Sequence, residues 1–165
     1  MSILFNTLLV FAALSTTMVA GLVFTFSTVV MPGISNLDDR GFVRAFQVID
    51  GIIQDGQLLF GFVWVGSILS LFAVSIMGFW QLDGLPQWLL FAANLLYIAG
   101  VQAPTFKVNV PHNNRLQAVP VAQSNDAAVT AARQRFEATW NRSNHFRTTI
   151  ATVVSIILIL VLFIL

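Results

Sequence analysis

The sequence predicts an all-α integral membrane protein. The expected fold is a four-helix bundle with a short interfacial helix in its first cytoplasmic connection and a last helix that extends out of the membrane. Of the 165 residues, 57% are hydrophobic and only 9% are charged, which leaves too little polar surface to cover a water-soluble domain. Four segments approach or exceed the roughly 20 mostly apolar residues that a membrane-spanning helix needs. We therefore expect a single membrane domain over residues 1–165.

The four predicted spans are separated by glycine and proline. The first ends at Pro32-Gly33 and is too long for the apolar part of a signal peptide, so a retained anchor is expected. The turn "QLDGLPQ" follows the second span, and the third is expected to end before Pro104. The spans cover about residues 3–31, 58–80, 88–103 and 148–165, with long connections at 32–57 and 104–147.

The basic residues predict the orientation of the chain. All eight lysines and arginines fall in the two long connections, and none lies in the short turn or at either terminus. Because basic connections stay on the cytoplasmic side, both long connections are expected to be cytoplasmic and both termini periplasmic. The expected location is a bacterial inner membrane.

The first connection shows the pattern of an amphipathic helix. Apolar residues recur at helical spacing at Phe42, Phe46, Ile49 and Ile53, and a polar stripe is formed by Gln47, Asp50 and Gln54. Asn36 or Asp38 can cap its first turn. A short helix at the membrane interface is expected.

The second connection is expected to end in a helix that begins at Ser124 or Asn125. No helix breaker separates this segment from the last span. One long helix is therefore predicted, with its first half outside the lipid and its second half within it.

Three polar pieces are expected to meet at the cytoplasmic face. They are "VPHNNRL" (110–116), "WNRSNHFRT" (140–148) and the polar stripe around Asp50. Convergent polar groups beside an apolar cavity are typical of a binding site. Each residue also has a structural interpretation, because asparagines form local turns, tryptophan favours the interface and arginine reaches towards headgroups.

Metal and nucleic-acid chemistry receive little support. Metal ligands would have to be His112, His145 and Asp50, since the chain has no cysteine. No two of these residues have the i, i+3 or i, i+4 spacing that places ligands side by side on one helix. We therefore predict no metal. The net charge of +1 gives no reason to expect a nucleic-acid partner.

The order of these motifs resembles a membrane family of bacteria and fungi that includes the anthrone oxygenases. The resemblance rests on "VMPGIS", "FVRAFQVIDGIIQDGQLLF", "VPHNNRL" and the Trp-x-x-x-Asn-x-x-Arg-Thr pattern from Trp140 to Thr148. It covers nearly the whole chain. It implies oxidation of an anthrone to an anthraquinone by O2 without a cofactor.

The resemblance also implies roles for the polar residues. A base must remove a proton from the ring CH2, and hydrogen-bond donors must stabilise the resulting enolate. His145 or His112 is the expected base, with Asp50 as its orienting partner or as an alternative base. Trp140 is expected to stack on the ring, and the candidate donors are Asn113, Asn114, Asn144 and Arg147.

Two other functions stay open at this point. The apolar surface and the bare last span also suit a non-catalytic accessory subunit that packs against a larger membrane complex or forms a homo-oligomer. A carrier for a lipophilic molecule is a third possibility. An ion channel or proton pump is not favoured, because no charged residue lies within the predicted spans. Membrane lipid is an expected partner in every case.

Overall fold

The computed structural model describes residues Met1–Leu165 and is entirely helical, as predicted. Four of its helices are long and apolar enough to cross a membrane, in agreement with an integral membrane protein. The orientation and the bacterial membrane stay predictions. The helices are α1 (Ile3–Ser35), α2 (Asp39–Gln54), α3 (Leu58–Gln81), α4 (Leu85–Gln117) and α5 (Asp126–Ile164).

Helix α1 continues a little beyond its predicted end. A wider π-helical turn, Phe26–Val30, precedes Pro32, and the helix runs on to Ser35. Proline is tolerated here because it occupies the first turn of the segment after the π-helix, where its missing N–H costs little. At the other end, the Ser2 hydroxyl accepts a hydrogen bond from the Phe5 N–H at 3.2 Å.

Helix α2 begins where the sequence predicts, since the Asp38 carboxylate accepts a hydrogen bond from the Gly41 N–H at 2.7 Å. Its apolar face packs on α5, with the Phe46 ring centred 4.5 Å from that of Phe136. Arg133 of α5 pairs with Asp39 at 3.1 Å. The hydrogen bond from Thr130 and the nearby guanidinium hold the pKa of Asp39 below its usual range.

The predicted end of the third helix before Pro104 is wrong. Helix α4 passes through Pro104 and continues to Gln117, with π-helical turns on either side at Tyr97–Gln102 and Thr105–Asn109. Such wide turns shift the hydrogen-bonding pattern, so the helix can accommodate a proline, which has no backbone N–H to donate. The "PHNN" segment therefore lies within a helix rather than in a loop.

Helix α5 confirms the prediction of one long terminal helix. Asn125 caps it by accepting a hydrogen bond from the Ala128 N–H at 2.9 Å. Its 39 residues span about 58 Å at 1.5 Å per residue, roughly twice the thickness of the hydrocarbon core. The helix is thus long enough both to cross a bilayer and to support α2 outside it.

The helices separate at one end of the bundle. Helix α4 follows α5 along its whole length, whereas its contact with α3 is concentrated in its first segment, Leu85–Leu96. Beyond that segment, the hydrogen bond from Trp64 Nε1 to Gln102 Oε1 at 3.1 Å still joins the two helices. The space between the start of α3 and the second half of α4 is where the candidate site lies.

Candidate functional site

A cavity of about 570 Å³ occupies the space where α3 and α4 separate, and all five helices contribute to its wall. Its volume falls within the roughly 300–1,000 Å³ that is usual for small-molecule sites. Most of the lining is apolar and much of it aromatic. The polar lining residues are Asp50, Gln57, Thr105, Asn109, Asn113, Asn144 and Arg147.

The mouth of the cavity is apolar. Leu58 and Phe62 at the start of α3 and Phe106 on α4 line it and are also exposed on the outer surface. Leu58 is 87% exposed and Phe106 61% exposed. An apolar opening between two helices of a membrane bundle suits a ligand that enters from the lipid rather than from water.

Asp50 is the only carboxylate in the wall, and it is held by three amides. The residue is 3% exposed. Its Oδ2 accepts hydrogen bonds from Gln54 Nε2 at 2.6 Å and from Gln117 Nε2 at 3.1 Å, and its Oδ1 accepts one from Asn113 Nδ2 at 2.7 Å. A carboxylate offers about four acceptor sites, so Oδ1 keeps one for a ligand.

Asn113 links Asp50 to the tryptophan of α5. While its amide nitrogen donates to Asp50, its Oδ1 accepts a hydrogen bond from Trp140 Nε1 at 2.6 Å. The Trp140 ring is fixed in turn by stacking on Phe136 and by an edge contact with Phe46 at 5.6 Å. The position of the carboxylate therefore depends on the packing of α5.

Arg147 is the second charged residue in the wall and is only 5% exposed. Its Nη1 donates to the Thr105 hydroxyl at 2.7 Å and its Nη2 to Asn144 Oδ1 at 2.6 Å. Its Nε has no hydrogen-bond partner. The guanidinium carbon lies 5.9 Å from the centre of the Trp140 ring.

Asn144 chiefly links two helices by hydrogen bonds. Its amide nitrogen donates to the Val23 carbonyl at 2.9 Å and to the Ser27 hydroxyl at 2.8 Å, so it fastens α5 to α1. Its oxygen orients Arg147. Asn144 thus lines the cavity and also positions the guanidinium.

The structure brings together five of the eight residues named from the sequence: Asp50, Asn113, Trp140, Asn144 and Arg147. Asn114 is exposed and lies outside the cavity, where its Oδ1 accepts a 3.3 Å hydrogen bond from Gln54. The remaining two residues are the histidines.

Neither histidine lines the cavity. His145 is exposed, and its Nδ1 lies 2.7 Å from the Asn141 carbonyl oxygen. His112 has its Nδ1 2.8 Å from the Val108 carbonyl oxygen and lines a separate pocket of about 110 Å³. No group of three histidine, cysteine or acidic side chains is placed to hold a metal ion, so the two histidines and Asp50 do not form one.

Thr105, Asn109 and Gln117 lie near Asp50 and Arg147 but are not among the residues predicted from the sequence. Asn109 Oδ1 accepts a hydrogen bond from Ser143 at 2.7 Å, and its amide donates to the Trp140 carbonyl at 3.3 Å. With Asn113, these residues recur every four positions, which is one face of a helix. The stripe is visible in the sequence once the helix is allowed to continue past Pro104.

Comparison with known families gives one match. The sequence model of a family described as anthrone oxygenase matches residues 51–157, which is more than half of the 165-residue chain. The matched range includes the cavity residues of α3, α4 and α5 and begins directly after Asp50. No curated protein and no solved structure matches the chain.

Proposed function

The chain belongs to the anthrone oxygenase family, and on that premise we propose that it oxidises a planar, lipophilic aromatic or quinone-like substrate with O2 in this cavity. The reaction proposed needs no metal and no cofactor. The observation that supports it best is the buried Asp50 carboxylate, held by amides in the wall of an otherwise aromatic cavity. Such a site offers a base and a flat apolar surface together.

The proposed chemistry balances with O2 alone. A base removes one proton from the ring CH2, and the carbanion passes an electron to O2. The substrate radical and superoxide then combine into a peroxide at the same carbon. After protonation, the hydroperoxide loses the second C–H proton and the O–O bond breaks, giving the ketone and one water molecule.

Asp50 is the base that the geometry favours. It lines the cavity, accepts hydrogen bonds only from neutral amides and keeps an acceptor site on Oδ1. The histidines stay predicted bases, but a base must come within about 3 Å of the proton it removes. In this structure, an exposed His145 and a His112 in a separate pocket do not face the cavity.

Aromatic side chains supply the surface for the ring. Trp140, Phe46 and Phe26 form one connected group, with the Phe26 and Trp140 rings centred 5.8 Å apart. Phe60 and Trp64 stack at 5.5 Å on the opposite helix, α3. A planar substrate between these groups could make the offset or edge contacts that aromatic pairs prefer, with ring centres about 4.5–7 Å apart.

The test is the oxidation of a simple anthrone by the purified, metal-stripped protein in detergent. Oxygen is admitted to an anaerobic mixture, and the rate is compared with spontaneous oxidation in empty micelles. Asp50→Asn is expected to lower the protein-dependent rate by about 10²–10⁴-fold, the usual contribution of a general base. Asp55→Asn is the matched control, because Asp55 is exposed at the end of the same helix and does not line the cavity.

Each outcome has a distinct meaning. A rate that falls in Asp50→Asn but not in Asp55→Asn supports Asp50 as the base. A rate that falls only in His145→Ala or His112→Ala would identify that histidine as the base instead of Asp50. No acceleration over empty micelles contradicts the oxygenase proposal and favours the accessory-subunit alternative, which is then tested by looking for co-purifying membrane proteins.

A further inference from the structure

Two opposite charges share the cavity without contacting each other. Asp50 and Arg147 are both more than nine-tenths buried, and neither takes part in any of the three ion pairs of the structure. The partners of Asp50 are amides, and those of Arg147 are one hydroxyl and one amide. Each charge is therefore hydrogen-bonded but not neutralised.

The two charges lie along one connected wall. Asp50 Oδ1 accepts from Asn113, Asn113 accepts from Trp140 Nε1, and the Arg147 guanidinium stands 5.9 Å from the Trp140 ring centre. The indole and the amide thus separate the carboxylate from the cation. A ligand lying on this wall meets a proton acceptor at one end and a positive charge at the other.

An unpaired guanidinium in an apolar cavity favours an anionic ligand. Burying a charge without an opposite charge is costly, and the Arg147 Nε is still an unused donor. An oxyanion beside it would supply both the missing acceptor and the missing charge. Charge-assisted hydrogen bonds of this kind are stronger than neutral ones.

We propose that the ligand carries an ionisable phenol oxygen and binds as a monoanion, with that oxygen at Arg147. The placement of the reacting CH2 at Asp50 rests on the proposed function, but anion binding at Arg147 does not. The cavity should therefore prefer hydroxylated planar aromatics to their ethers.

The experiment measures the ionisation of a bound probe rather than turnover. A monohydroxylated anthraquinone changes colour when its phenol ionises, and its methyl ether cannot ionise. The probe is titrated with pH in the presence of the detergent-purified protein, and empty micelles give the reference pKa. A nearby arginine is expected to lower the pKa of the bound phenol by about 1–3, as it does for a carboxylic acid.

Variants separate an anion site from a structural arginine. Arg147→Gln is expected to abolish the lowered pKa, whereas Arg147→Lys should keep part of it. Arg142→Gln is the matched control, because Arg142 is exposed on the same helix and does not line the cavity. Thermal unfolding of each variant shows whether the fold is intact.

The wild-type protein tests the proposal even if the Arg147 variants do not fold. At a pH above the reference pKa of the phenol, it should bind the phenol at least about tenfold more tightly than the ether, which is the least that a pKa lowered by one implies. Equal binding of phenol and ether, or a lowered pKa that survives Arg147→Gln, would overturn the proposal. A lowered pKa without anthrone turnover would support the anion site and contradict only the oxygenase function.

Discussion

The two ends of the bundle satisfy their buried polar groups in different ways. At the sealed end, defined by Phe5, Leu71, Val74, Leu90 and Leu158, side chains are almost fully buried and apolar. At the open end, defined by Phe46, Asp50, Asn113, Trp140 and Arg147, the cavity separates the helices.

Two serine hydroxyls at the sealed end bond within their own helix. Ser75 donates to the Leu71 carbonyl at 2.7 Å and Ser155 to the Ala151 carbonyl at 3.0 Å. At the open end, by contrast, Asn113 and Asn144 bond between helices. Polar groups that are already satisfied leave nothing for a ligand, whereas bonds between helices hold charged groups in place around a space. The difference places dense apolar packing at one end and a cavity with charged side chains in its wall at the other.

Truncating one large side chain at each end should show this difference most strongly. Phe46→Ala removes a ring that contacts Phe136 and Trp140 and should cost about 3–5 kcal/mol. Because α2 lies outside the apolar bundle, the loss should appear as faster hydrogen exchange in α2 and the neighbouring part of α5. Leu71→Ala, at about 2–5 kcal/mol, should instead speed exchange throughout the four long helices. Equal exchange profiles for the two variants would contradict the division into two ends.

Trp140→Phe should test whether the indole N–H at the open end positions Asp50 through Asn113. It keeps an aromatic ring beside Phe136 but removes the N–H that donates to Asn113. Asn113 would then hold Asp50 less firmly, and small misplacements of a catalytic group cost up to about 10²-fold. We expect the oxidation rate to fall by about 10- to 100-fold, together with a stability loss of about 1–3 kcal/mol from the unpaired Asn113 oxygen. Trp80→Phe is the control, because Trp80 is 74% exposed and lies outside the cavity. An unchanged rate would mean that the indole N–H does not position the base.

Gly100→Ala should test how closely α4 approaches α5. A Cβ added at Gly100 would lie 2.6 Å from Ile150 Cγ2, so the helices would have to move apart. Overpacking of this kind costs about 1–3 kcal/mol, which thermal unfolding in detergent can measure. Gly21→Ala is the matched change, because nothing lies within 4 Å of its added Cβ. It should be neutral or stabilising, and equal destabilisation by both changes would point to backbone effects instead.

The smallest effect should be the pH dependence at Asp39. Its pKa lies below the ordinary value of 3.8, first because Thr130 donates a hydrogen bond to the carboxylate. A lowered pKa in the folded state adds stability above the unfolded pKa, and that stability is lost as pH falls through the folded value. The difference in Tm between the wild type and Asp39→Asn should therefore hold at neutral pH, begin to shrink near about pH 4 and disappear only below the lower pKa of the folded state. Thr130→Val should weaken this dependence, and a difference that persists in acid would contradict it.

Much of the fold can be predicted from local sequence signals. Apolar length predicts four membrane-crossing helices, and Asp38 and Asn125 mark the starts of α2 and α5 because their side chains satisfy free backbone N–H groups. The absence of a breaker before the last span predicts the long α5. The matched motifs predict the family.

The composition of the site depended on helical phase, which only the tertiary structure showed. Neighbouring residues on a helix point about 100° apart, and here Asn113 and Asn144 line the cavity while His112 and His145 point away from it. A proline at 104 predicts a helix end. The stripe of Thr105, Asn109, Asn113 and Gln117 forms only because the helix continues past that proline. The sequence by itself determined which residue types gather at one end of the bundle. Packing of α4 along α5 through π-helical turns decided which of them line the cavity, because side-chain direction depends on where each helix continues and what it contacts.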